Sequence, residues 1–196
     1  PTMICGVDTL TKTGKETKTI VAFTATYNRT FTKYYSVSKI KTGTSKVISE
    51  CMEEALNNFK KCNNIYPSHI ILIRDNVTPT QFKTTTTDEV EQIKRAFTNL
   101  SLTPKLTYLL LNKKTTIKIF GLNNSNYNNV VPGTVVDIEL GGEELNDFYL
   151  IPQKSLQGCS MPIYYVVGYD DKGVSSQELQ LLVYKLCYLY YNFTGG

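Results

Sequence analysis

Residues Ile70-Ile71-Leu72-Ile73 form an unbroken apolar run that ends in Arg74-Asp75. Successive side chains of a strand point to opposite faces, so a run without alternation has both faces buried. The pattern predicts a central strand covered by helices on both faces. Leu106 to Leu111 repeats it and ends at Asn112-Lys113-Lys114, so two such strands are expected. Between and before them the period changes to 3.6. Val47, Cys51, Ala55 and Phe59 make one stripe, and Ile48, Met52 and Leu56 an adjoining one, which predicts an amphipathic helix over Thr44 to Cys62. Thr86-x-x-Glu89 reads as a capping box ahead of Val90, Ile93, Phe97 and Leu100, the stripe of a second helix.

Upstream, Met3 to Val7 is a short apolar run ending at Asp8, and Lys12 to Lys18 a polar turn. Thr19 to Tyr27 and Thr30 to Ser38 are β-branched and aromatic runs joined by the tight-hairpin signal Asn28-Arg29. Thr115 to Phe120 is strand-like, and the Asn-rich stretch Asn123 to Asn129 reads as a surface loop. Three short strands are expected at Thr134 to Ile138, Phe148 to Ile151 and Ile163 to Tyr169. A last helix follows, with the capping box Ser175-x-x-Glu178, a staple of Val174 and Leu179, and a stripe of Leu182, Val183, Leu186 and Tyr190. Three antiparallel strands leading into alternating β and α units is the order of an α/β, ribonuclease H-like mixed β-sheet flanked by α-helices, although doubly wound α/β folds share parts of it.

Composition narrows the chemistry. The 196 residues, 41% hydrophobic and 19% charged, suit one globular domain or a large piece of a bigger protein. A net charge of +4 permits a nucleic-acid partner without requiring one. Five scattered cysteines and the lone histidine His69 argue against a disulfide framework, a Cys/His zinc site and a His-based triad, and point to a reducing compartment. No stretch approaches 18 continuous apolar residues, so no membrane span is expected. The chain opens on Pro1 without a leader and stops just after a helical pattern, and so reads as a fragment of a longer protein.

Two aspartates end strand patterns, Asp8 the first and Asp75 the central one. If those strands are neighbours, both carboxylates project at one sheet edge, where they can hold hard divalent ions such as Mg²⁺. Placement alone leaves ordinary strand-end capping as the other reading.

The segment Ile4-Cys5-Gly6-Val7-Asp8-Thr9 resembles the first-strand motif of PIWI domains of the Argonaute superfamily, and Tyr66 to Val77 with Gln81 is similar to that family's central Arg-Asp-Gly-Val motif. Pro132 to Asp137, Asp147 to Leu150 and Leu182 to Asn192 match further blocks in the right order, the last closest to the Piwi branch. The resemblance implies a PIWI domain over residues 1–196, incomplete at the C-terminus, with a ribonuclease H-like fold. By the same resemblance Asp8 and Asp75 are the catalytic, metal-binding pair for Mg²⁺ or Mn²⁺. Lys113, Lys118, Gln153, Gln157 and Tyr190 are implied to contact nucleic acid. Solvent exposure is the competing reading for the lysines, and packing in the last helix for Tyr190.

Other features depart from the family pattern. The position of the family's catalytic glutamate falls near Gly43, where there is no acid, and a fourth group would lie beyond Gly196. Leu10 replaces a frequent His, and Asn76 replaces the Gly after the second Asp. His69 and Asp137 are expected to be structural, and Asp170-Asp171-Lys172-Gly173 a turn.

What the resemblance implies in function is small-RNA-guided silencing, with a guide RNA and its paired target RNA cradled by the domain and anchored with help from an adjoining MID-type domain. It leaves open a slicer that cuts the target, a non-slicing module that recruits silencing partner proteins, and a scaffold without RNA affinity. An intracellular site, cytoplasmic or nuclear, is expected, and the fragment alone is expected to be inert.

Overall fold

The computed structural model describes residues 1–12, 18–41, 46–137, 147–155 and 157–189. The chain divides into two compact units, Pro1–Leu110 with Gly168–Lys172, and Leu111–Val167 with Gly173–Gly196.

In the first unit, strands β1 (Thr2–Lys12), β2 (Lys18–Thr26) and β3 (Tyr34–Lys41) form an antiparallel meander. Helix α1 (Val47–Asn63) then leads to β4 (His69–Arg74), which lies parallel to β1. Helix α2 (Phe82–Asn99) leads to β5 (Lys105–Asn112), parallel to β4. Reading across, the strand order is β3-β2-β1-β4-β5, the mixed α/β arrangement the sequence predicts.

The core of this unit lies under the two helices. Met3, Cys5 and Val7 of β1, Phe23 and Ala25 of β2, Ile70 and Leu72 of β4 and Leu106, Tyr108 and Leu110 of β5 share one face by register, and all are buried. Met52, Leu56 and Phe59 of α1 and Ile93 and Ala96 of α2 are equally buried. At about 25 cal/mol per Å², this apolar burial is the main force holding the helices to the sheet.

Several element boundaries differ from expectation. The β2–β3 connection spans Tyr27–Lys33 rather than two residues, because the Asn28 side chain organises it. Its Oδ1 accepts from Thr32 N and Lys33 N, each at 3.0 Å, which places the strand start at Tyr34. Helix α2 begins at Phe82, after a 3₁₀ turn at Pro79–Gln81, so Thr86 and Glu89 sit inside the helix and form no capping box. Proline fixes φ for that first turn, and Glu89 serves a buried ion pair instead.

The second unit holds an exposed hairpin of β6 (Phe120–Asn123) and β7 (Asn126–Asn129), where a loop was expected. Its two-residue turn, Asn124-Ser125, has φ of 46° and 67°, the left-handed geometry that matches strand twist and that Asn tolerates. Residues 115–119, expected as a strand, have no regular structure. Strands β8 (Val135–Asp137), β9 (Asp147–Leu150) and β10 (Ile163–Asp170) are antiparallel neighbours in the order β10-β9-β8.

Helix α3 (Ser176–Leu186) carries the expected capping box, with Glu178 N donating to Ser175 Oγ at 3.3 Å and Ser175 N donating to Glu178 Oε2 at 3.4 Å. Gly133 has φ of 86°, and a Cβ there would come within 3.0 Å of the Tyr184 ring, so the Pro132-Gly133 block is fixed by backbone geometry and by close packing. Asp137 accepts a hydrogen bond from Gln180 Nε2 at 3.0 Å.

His69 is buried. Its Nε2 lies 2.8 Å from Thr107 Oγ1 and its Nδ1 3.3 Å from Lys172 Nζ. Burial, and then the Lys172 charge, push its pKa below the ordinary value of 6.5. The unfolded chain therefore takes up a proton before the folded one does, so His69 costs stability as pH falls through about 6.5. The difference in urea midpoint between pH 7.5 and pH 5.5 is expected to be smaller in His69→Gln than in the parent.

Among the described residues no helix is long and apolar enough to cross a membrane.

Candidate catalytic and nucleic-acid site

The β1–β4 ladder ends at Val7↔Arg74, and Asp75 N donates to Val7 O at 2.9 Å, which brings Asp8 and Asp75 to successive positions of adjacent parallel strands. By alternation they fall on the face opposite Val7, Thr9 and Arg74, away from α1 and α2. Asp75 follows its strand as expected. Asp8 does not end β1, because pairing with β2 continues to Lys12↔Lys18, and Ala22 stands opposite Asp8 within the ladder.

Asp8 is exposed and Asp75 half-buried. One oxygen of each carboxylate accepts the next residue's amide, Thr9 N on Asp8 Oδ1 and Asn76 N on Asp75 Oδ1, both at 2.7 Å. Asn76 adopts φ of 62°, a left-handed backbone that Asn tolerates, and its Nδ2 also donates to Thr9 O at 3.2 Å. Leu10, at the family's His position, is 66% exposed and lies in register with the exposed Ile20 and Ile40.

Behind the pair, on the helix side, is a buried polar network that the strand pattern does not reveal. Arg74 Nε donates to Glu89 Oε1 at 2.8 Å, its Nη2 to Thr9 Oγ1 at 3.0 Å, and its Nη1 to the Asp75 carbonyl. Tyr108 OH donates to the other Glu89 oxygen at 2.5 Å, and burial, with the Glu89 charge, pushes the phenol's pKa far up. A signal was present in the sequence. An arginine closing an all-apolar strand must find a buried partner, and the following helix offers Asp88, Glu89 and Glu91, of which Glu89 is the buried one.

A polar cleft of about 660 Å³ opens on this helix side, lined by Thr9, Arg74, Asp88, Glu89, Gln92 and Arg95 among others, and neither Asp8 nor Asp75 lines it.

Both aspartates are hard-oxygen donors of the kind Mg²⁺ or Mn²⁺ takes, and their adjacency fits such an ion as two ligands. Among the described residues no group of three His, Cys, Asp or Glu side chains is placed to hold a metal. Gly43 and Tyr190 lie outside the described residues. In the second unit Lys113, Lys118 and Gln157 are exposed and Gln153 half-buried. Burial raises the Cys187 thiol pKa, a rise that a side-chain hydrogen bond with Tyr165 and the Lys113 charge partly offset.

The strand order and paired carboxylates define a ribonuclease H-like α/β protein. The chain matches the Piwi domain over residues 1–196 and belongs to that family. It is 34% identical to Piwi-like protein Ago3 of Bombyx mori over 198 residues, covering 98% of this chain and 21% of that protein. Among solved structures it is similar to Drosophila Piwi, with a TM-score of 0.80 and 29% identity over 99% of this chain and 27% of that one. It shares the fold of Kluyveromyces polysporus Argonaute, solved with a guide RNA, with a TM-score of 0.84 and 24% identity over 96% of this chain and 24% of that one. The chain thus spans about a fifth of the Bombyx protein's length.

Proposed function

We propose that this chain is the part of a small-RNA-guided silencing protein that cradles a guide RNA and its paired target, with Asp8 and Asp75 holding Mg²⁺ or Mn²⁺ for cleavage of the target strand. The observation behind this reading is the β1–β4 register, which makes the two carboxylates neighbours on the sheet face away from α1 and α2. A bound divalent ion would activate water and stabilise the leaving oxygen of a phosphodiester. The chain's own part is to present two carboxylates at fixed spacing and to bind backbone phosphates through Lys113 and Lys118. Gln153, Gln157 and Tyr190 are further candidates for guide contact, and a MID-type domain elsewhere in the protein would anchor the guide.

The second reading is a guide-binding module that recruits silencing partner proteins without cutting. It is favoured by the lack of an acid near Gly43 and by the lack of a third ligand among the described residues.

The deciding assay loads the full-length protein with a guide and presents complementary RNA with Mg²⁺ or Mn²⁺. Cleavage that disappears in Asp75→Ala supports slicing. Guide retention without cutting by the parent supports the second reading. Lys113→Glu is expected to weaken guide binding for every guide sequence and to reduce the salt slope of log K by about 1. An unchanged slope removes Lys113 from the interface.

A further inference from the structure

We propose that Arg74, held by Glu89 and Tyr108, is the positioning residue of the Asp8–Asp75 pair; the inference rests on the metal-binding reading above. Its guanidinium is buried and planar, and it donates to three acceptors at once: Glu89 Oε1, Thr9 Oγ1 and the Asp75 carbonyl. Thr9 is the residue after Asp8, so one rigid fork ties together the backbone stretches that carry both carboxylates.

The location matters as much as the contacts. Backbone pairing between β1 and β4 ends at Val7↔Arg74, with Asp75 N to Val7 O as its last bond. Beyond that point Arg74 Nη2 donates to Thr9 Oγ1 and Asn76 Nδ2 donates to Thr9 O, so both side chains link the two stretches. Two adjacent carboxylates repel each other until a cation neutralises them. Holding their spacing before the cation arrives reduces the rearrangement that binding requires.

A buried Arg–Glu ion pair is often replaceable by apolar residues of similar volume without loss. Glu89 fixes the guanidinium from α2, and the buried Tyr108 hydroxyl fixes Glu89 from β5, so three elements converge on the orientation of one fork. Lysine carries its three donors on one nitrogen and lacks the planar fork whose Nε, Nη1 and Nη2 reach these three acceptors.

The test uses full-length protein and the metal alone, with Mn²⁺ binding followed by electron paramagnetic resonance or calorimetry. The Asp75→Asn variant defines which binding belongs to this site. The double variant Arg74→Met/Glu89→Leu removes the fork while leaving no unpaired charge. It is expected to regain most of the stability that Glu89→Leu alone loses and to bind Mn²⁺ about tenfold or more weakly, the scale at which second-layer partners affect metal affinity. Cleavage should need a correspondingly higher Mg²⁺ concentration. Arg74→Lys is expected to lose Mn²⁺ affinity by a similar factor while keeping the charge.

Parent-like Mn²⁺ affinity in a folded double variant overturns the proposal. If that variant does not fold, Thr9→Val removes a single arm of the fork, and unchanged Mn²⁺ affinity there overturns it equally. A parent whose Mn²⁺ binding matches that of Asp75→Asn refutes the carboxylate reading itself, a different outcome from a parent that binds while its Arg74 variants bind as well.

Discussion

Glu89→Leu is expected to lower the unfolding free energy by about 3–5 kcal/mol, measured by urea denaturation. The substitution leaves the Arg74 guanidinium buried opposite an apolar side chain, and strands the buried Tyr108 hydroxyl whose acceptor was Glu89 Oε2. The cost is that of an uncompensated charge and an orphaned donor, and not the worth of the ion pair. The sign of the combined change makes this distinction measurable. Adding Arg74→Met to Glu89→Leu should recover most of the loss, because the charge leaves with its partner. A double variant as unstable as the single one would mean that volume or backbone geometry, and not charge, sets the penalty.

Phe59→Ala is expected to cost about 3–5 kcal/mol on the same measure. Phe59 is fully buried on α1, in the layer that also holds Met52, Leu56 and Phe23, and side chains anchored on helix and sheet cannot collapse fully into the gap. Leu10→Ala removes a side chain that is 66% exposed and should change stability by no more than about 0.5 kcal/mol. The contrast separates burial from hydrophobicity, since both positions carry large apolar residues.

These residues also show what a sequence discloses. The strand β4 was legible because four apolar residues in a row allow few other placements, and its parallel partnership with β1 follows from the intervening helix. The juxtaposition of Asp8 and Asp75 then followed from topology. The start of α2 was not legible. Thr86 and Glu89 have capping-box spacing by coincidence of a different demand, the need of Arg74 for a buried acid. Local spacing cannot separate a carboxylate that caps its own helix from one that faces a strand of the sheet.

The hairpin of β6 and β7 was missed for a related reason. Half of its strand residues are Asn and nearly all are exposed, so no buried alternation marks them, and the pairing is fixed by the two left-handed residues at its tip. Leu122 and Tyr127, 67% and 76% exposed, face each other there as the apolar cross-strand pair.

The length of β1 has a consequence for local opening. From Leu10 to Lys12 the strand is paired with β2, while its ladder to β4 has already ended. Such a tip can fray and exchange its amide hydrogens at a free energy well below that of global unfolding. Asp8 lies two residues inside that tip, with Ala22 opposite on one side and Asp75 N bonded to the preceding Val7 O on the other. Fast exchange at Leu10 to Lys12 and slow exchange at Val7 would therefore describe a strand whose end breathes while its carboxylate stays in place.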